Sequence, residues 1–213
     1  MDNKSKKQIW TFVLICGVLS VVSYLLHDII GAAHYPGYRW TEQAVSDLTA
    51  TDAPSFAVAS DIITVYKILT CVCYAYLCFL IASERKMLRI GIYLFAIMHV
   101  ISAVGYALFP LTGSGYDGST QSFIHVYVLT TLIVMLSIAS LILIAIGSFR
   151  GEHRLLGILA IVALVAMFFG AVGSQSVPKA YFGVAERFST YSATAFTGVL
   201  AVYGFAKMRS KED

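Results

Sequence analysis

The sequence predicts an all-α integral membrane protein, a six-helix bundle with N and C termini cytoplasmic and a long first extracellular loop. Three observations carry that prediction: a scarcity of charge, six long apolar runs, and a one-sided placement of basic residues. Of 213 residues, 58% are hydrophobic and only 13% are charged. A soluble domain carries roughly 25% charged residues, so this chain lacks the polar groups to coat a globule and takes lipid as its solvent. One compact domain, residues 1–213, suits the length. The net charge of +3 is small and dispersed, which argues against nucleic acid as a partner.

A spanning helix needs roughly 20 predominantly apolar residues. Residues 8–30, 61–82, 88–109, 122–147, 155–173 and 183–206 meet that test. The first run begins basic and ends in small residues at Gly31–Ala33, as a cleaved signal does. Its apolar stretch nevertheless exceeds the roughly 7–15 residues of a signal core, so it is read as a retained span. The connector from Gly31 to Ser60 is long enough to fold over the bundle; the others are short. No heptads, low-complexity tracts or internal repeat appear, and the two three-helix halves show no sequence echo of the inverted kind found in some transporters.

Orientation follows from the excess of bases in cytoplasmic loops. Lys4, Lys6, Lys7, Arg85, Lys86, Arg89, Arg150, Arg154, Lys207, Arg209 and Lys211 fall on one side, and Arg39, Lys179 and Arg187 on the other. Lys67 lies within a span. The acids invert this pattern: Asp28, Glu42, Asp47, Asp52, Asp61, Asp117 and Glu186 map to the outer side or outer helix ends. Cys16, Cys71, Cys73 and Cys78 sit inside apolar runs, so they are read as small buried residues rather than a disulfide framework or zinc knuckle.

Polar groups in a bilayer are costly and turn toward a protein interior or a wet cavity. Helical spacing places them on shared faces. Ser20, Ser23, Tyr24, His27 and Gly31 form one stripe on the first span; Lys67, Thr70, Cys71, Tyr74 and Cys78 form another on the second. His99, Ser102, Tyr106 and Pro110 align on the third, and Glu186, Arg187, Ser189, Thr190, Thr194 and Thr197 open the sixth. At 1.5 Å per residue, His27 and His125 lie about 5 Å below the outer boundary, and His99 and Lys67 roughly 9–15 Å deep. The stripes therefore predict a polar funnel open to the outside. The competing reading is ordinary helix packing for the serines and threonines, a snorkelling Lys67 and a helix-start role for Asp61.

In the first loop, Pro36-Gly37 marks a turn, and Trp40, Ala44, Val45 and Leu48 recur at helical spacing. That predicts a short helix over 41–49 lying on the membrane interface, with Tyr35, Tyr38 and Trp40 in the headgroup belt. Arg39 is placed either to attract a phosphate or carboxylate or to pair with a nearby acid.

Tyr35-Pro-Gly-Tyr38, Ser46-Asp-Leu48 and Ala53-Pro54, with Phe109-Pro110, His125 and Gly183-Val-Ala-Glu-Arg187, resemble the DUF998 family of polytopic membrane proteins. The resemblance covers nearly the whole chain. It implies about six spans and a prokaryotic cytoplasmic membrane, and it transfers no reaction.

Three functional classes remain open on the sequence. In the first, an outward-facing pocket binds a lipid headgroup or small amphipathic ligand, using His27, Arg39, Trp40, Asp61, Lys67, His99, Tyr106, Glu186 and Arg187. In the second, a hydrolase or transferase acts on a lipid-like substrate. Either His27, His99 and His125, with a carboxylate such as Asp47, hold zinc that generates hydroxide, or Ser46 or Asp47 works as nucleophile with His125 as base. No His-x-x-x-His spacing and no nucleophile elbow supports either version. In the third, Lys67 and His99 form the relay of a small proton-coupled transporter. A haem held by paired histidines is a minor alternative.

Overall fold

The computed structural model describes the backbone over residues 3–209 and side chains over residues 5–206. Of the bases used to orient the chain, Lys211 and the side chains of Lys4, Lys207 and Arg209 lie outside the described residues. Six long helices occur: α1 (Asn3–Ala33), α2 (Phe56–Leu80), α3 (Lys86–Leu108), α4 (Thr120–Phe149), α5 (Arg154–Ser176) and α6 (Phe182–Arg209). Each overlaps the run predicted for it and starts one to five residues earlier; α2 and α3 end one or two residues short of the predicted bound and the others run two or three residues past it. There are no strands among the described residues.

Helices α1 to α5 are long and apolar enough to cross a membrane. Their outer faces carry exposed leucine, isoleucine, valine and phenylalanine, as a lipid-facing surface must: Ile29 is 65% exposed, Phe79 68% and Phe169 66%. The chain is a multi-pass membrane protein. Helix α6 is less apolar because Glu186, Arg187 and a run of hydroxyl residues fill its first half. It tolerates them because α1 and α5 flank it and Arg187, Thr194 and Thr197 are buried.

The helices form a ring in which α1 packs on α2 and α6, α5 joins α6 to α4, and α4 packs on α3. The ring closes between α2 and α3, which touch over less of their length than any other neighbouring pair. Sequential neighbours are antiparallel, as short connections require. Helices α1 and α6 are antiparallel too: Trp10 meets Gly204 at one end and Asp28 meets Arg187 at the other, so both termini emerge from the same end. Close crossings are made by glycine. A methyl group at Gly147 would collide with the backbone of Leu88, and one at Gly91 with Ile144.

The interior has two layers. Toward the termini, Tyr74, Phe95, Met98, Leu141, Ile144 and Phe196 form a dry core. Toward the other end the first loop (residues 34–55) folds inward as a cap. The interfacial helix expected over 41–49 is corrected to a single 3-10 turn, Val45–Thr49. Val45, Asp47 and Leu48 are buried, and the turn packs on α1 and α2. Two apolar side chains, Val45 and Leu48, pack with Tyr24 of α1 and Ala59 of α2, which outweighs a position among headgroups.

Candidate functional site

Arg187, one turn into α6, organises the capped end. Its Nε and one terminal nitrogen donate to the two carboxylate oxygens of Asp28 on α1 at 2.7 and 2.8 Å. That same nitrogen donates to Tyr38 Oη at 2.9 Å, and the other terminal nitrogen donates to the carbonyls of Trp40, Gln43 and Gly183 at 2.7, 3.1 and 3.0 Å. Tyr191 Oη also donates to Asp28, and the guanidinium lies 5.5 Å from the centre of the Trp40 ring. A guanidinium has five N–H groups, and these contacts occupy all of them. Where the sequence suggested an anionic ligand for Arg187, the structure has it as a staple joining α1, α6 and the cap. Gly183 makes the staple sterically feasible, because a methyl group there would strike the carbonyl oxygens of Trp40 and Gln43.

Two further carboxylates pin the cap. Glu186 accepts from the Val45 amide at 3.3 Å. Asp47, 3% exposed, accepts from Ser114 Oγ at 2.5 Å and the Gly115 amide at 3.3 Å, tying the cap to the α3–α4 loop. Burial pushes the Asp47 carboxyl above the ordinary carboxylate range, with these hydrogen bonds opposing the shift. In that loop, hydrogen bonds led by Ser122, with Ser119 and Thr112, hold the Asp117 carboxyl well below that range, and Ser119 caps α4.

Beneath the cap lies a layer of ionisable groups drawn from separate helices. His27 on α1 is 2% exposed, and neither of its ring nitrogens has a hydrogen-bond partner. Lys67 on α2 is half-buried and follows Tyr66, whose ring meets Tyr24, one turn from His27 on α1, with centres 5.0 Å apart. Among the described residues no carboxylate pairs with Lys67. His125 on α4 bonds through Nδ1 to the Phe109 carbonyl at 2.7 Å and lies against Tyr106, with ring centres 4.4 Å apart. Tyr106 Oη and Thr130 Oγ1 are 3.0 Å apart, and Thr130 donates to the His125 carbonyl. The backbone over Ile124–Leu129 widens into a π-helical segment. Such segments occur often at functional sites, and His125 lies within this one.

His99 is not part of this layer. It is stacked on Tyr74 with centres 5.0 Å apart and lies 3.2 Å from Thr197 Oγ1, inside the dry core. The expected zinc set is corrected accordingly: among the described residues no three His, Cys, Asp or Glu side chains are placed to hold a metal. His99 lies against Tyr74, Phe95 and Thr197, whereas His27 and His125 lie in the layer beneath the cap. Ser46, Asp47 and His125 share the capped end, but no hydrogen bond joins them; Asp47 is engaged with Ser114 and Gly115, and His125 with Phe109. Arg39 is 71% exposed and paired with Glu42 at 3.1 Å, the second of the two roles expected for it. Trp40 is 54% exposed at the membrane-facing rim, and Asp61 is exposed near the start of α2.

The structure adds Asp28, Tyr38, Tyr191 and Ser114. Asp28 carried a signal, an acid at the end of an apolar run; the other three are common residue types whose roles come from partners more than 60 positions away. Two apolar grooves of about 670 and 480 Å³ follow the outer seam of α5 and α6. They are carbon-lined surfaces facing outward, and only the second reaches Trp40 and Arg187.

No curated protein and no solved structure matches the chain. A family model described as a protein of unknown function, DUF998, matches residues 15–203. That stretch runs from the first helix to the last and contains the cap, the Asp28–Arg187 staple and the polar layer, so this chain belongs to the DUF998 family.

Proposed function

We propose that the protein binds an amphipathic molecule with an anionic headgroup, such as a membrane lipid, in the polar layer beneath the cap. The loop end faces the outside of a cell membrane and both termini face the cytoplasm, as the distribution of bases supports. Lys67 carries the reading. An ammonium at membrane depth is expensive unless paired, and no carboxylate among the described residues pairs with this one. A bound phosphate or carboxylate offsets that cost. The limited contact between α2 and α3 supports sideways access from the bilayer, with the acyl chains left in lipid.

Native mass spectrometry of the detergent-solubilised chain with phosphatidylglycerol and phosphatidylcholine tests this. The anionic lipid binds in preference, and Lys67→Met weakens it about tenfold, the scale of one charge-assisted hydrogen bond. Arg39→Ala leaves it nearly unchanged. Equal binding of both lipids, or indifference to Lys67→Met, overturns the proposal.

A further inference from the structure

We propose that His27 selects, within this site, a headgroup that carries a free hydroxyl, so that the ligand is an anionic phospholipid of the phosphoglycerol type rather than any anionic amphiphile. The inference rests on the polar layer being a headgroup site and adds which headgroup it takes.

A neutral imidazole carries one N–H donor and one lone-pair acceptor. At His27 both nitrogens are shut away from solvent with no partner, and the ring is only 2% exposed. Buried polar groups are nearly always paired with protein, water or ligand, so two orphans on one ring point to a missing group. The neighbours do not supply it. Asp28, next in the chain, has both carboxylate oxygens engaged by Arg187, and Tyr191 donates to it as well. His125 is bonded to Phe109. Tyr24 presents its ring to His27, with centres 6.0 Å apart. Lys67 has donors only and could serve at most the lone pair.

What completes the set has two properties. It accepts from Lys67 and from the His27 N–H, which calls for anionic oxygens, and it donates to the His27 lone pair on the other side of the ring, which calls for a hydroxyl. A phosphodiester oxygen only accepts; a phosphoglycerol headgroup does both. Because both His27 nitrogens are shut from solvent, a headgroup reaches them only by displacing a neighbouring side chain. Lys67, on a flexible four-carbon stem and without an ion pair among the described residues, is free to swing.

The test compares phosphatidylglycerol with phosphatidylmethanol, a phosphodiester of equal charge without the hydroxyls. It uses native mass spectrometry of the full chain with wild type, His27→Leu, His27→Gln and Lys67→Met. The expected wild-type preference for phosphatidylglycerol is about tenfold, because the analogue has no donor and leaves the buried acceptor nitrogen unmet. His27→Leu removes the preference, His27→Gln restores much of it because an amide also gives and accepts, and Lys67→Met weakens both lipids while keeping their ratio. Equal wild-type affinities, with both lipids still preferred over phosphatidylcholine, overturn the hydroxyl inference and leave the headgroup site standing; they mean that buried water alone serves His27. No preference for either anionic lipid overturns both. A ratio unchanged in His27→Leu, when that variant keeps the wild-type melting temperature, also overturns the inference.

Discussion

Arg187 and Arg39 are both outer-side arginines, yet the structure gives them opposite weight. Arg187 and Asp28 have side chains 6% and 8% exposed, whereas Arg39 is 71% exposed beside Glu42. Removing one partner of a buried pair costs about 3–5 kcal/mol; an exposed pair contributes under about 1 kcal/mol. Thermal unfolding in detergent is therefore expected to show a large loss for Arg187→Ala and almost none for Arg39→Ala. Arg187→Lys, which keeps the charge but has fewer N–H groups and no fork, should fall between, nearer to alanine. Comparable melting temperatures for Arg187→Ala and Arg39→Ala would remove the staple from this account. Asp47 gives a pH-dependent counterpart. Its folded carboxyl sits above the ordinary carboxylate range, so the folded state holds the proton more tightly than the unfolded state does. Its contribution to stability is thus fullest below the unfolded carboxylate value and declines as pH rises through the raised folded value. Asp47→Asn should flatten that part of the stability profile; an unchanged profile would show that Asp47 is not its source.

At the scale of elements, two glycines decide how closely chain segments approach. Gly147 lets α4 lie against the backbone of Leu88 on α3, and Gly183 lets the cap carbonyls reach Arg187. Overpacking of this kind costs about 1–3 kcal/mol. Gly147→Val is expected to destabilise the whole bundle. Gly183→Ala should act mainly on the cap, so limited proteolysis would cut residues 34–55 faster in Gly183→Ala than in wild type while the helices stay intact. Equal cleavage rates would mean that the cap does not depend on this contact. The cap itself shows why periodicity misled over 41–49: Trp40, Ala44, Val45 and Leu48 have helical spacing, but only Val45–Thr49 turns, as a 3-10 segment. Asp47 and the carbonyls of Trp40 and Gln43 are bonded to partners outside the loop, and those tertiary bonds compete with a longer helix.

For the molecule as a whole, the described bases Lys6, Lys7, Arg85, Lys86, Arg89, Arg150 and Arg154 lie toward the terminal end, and the cap closes the opposite end. A cysteine introduced at Thr51 into a chain freed of its native cysteines should react with a membrane-impermeant maleimide on intact cells. One at Ser83 should react only after permeabilisation. The reverse pattern would invert the proposed orientation and place the headgroup layer in the inner leaflet.

The sequence alone settled the solvent, the number and placement of the helices, and the inward stripes, because hydrocarbon imposes length and polarity on each span separately. Of the first stripe, Ser20, Tyr24, His27 and Gly31 are buried and Ser23 is half-buried. What it left open was which polar residues meet. His27 and His99 look alike as histidines on apolar helices, but one has two bare nitrogens beneath the cap and the other lies against Tyr74 and Thr197. Arg187 looks like a ligand contact until its five N–H groups are found occupied. Those outcomes depend on distances between residues as far apart as 28 and 187, which only the packing of α1 against α6 sets.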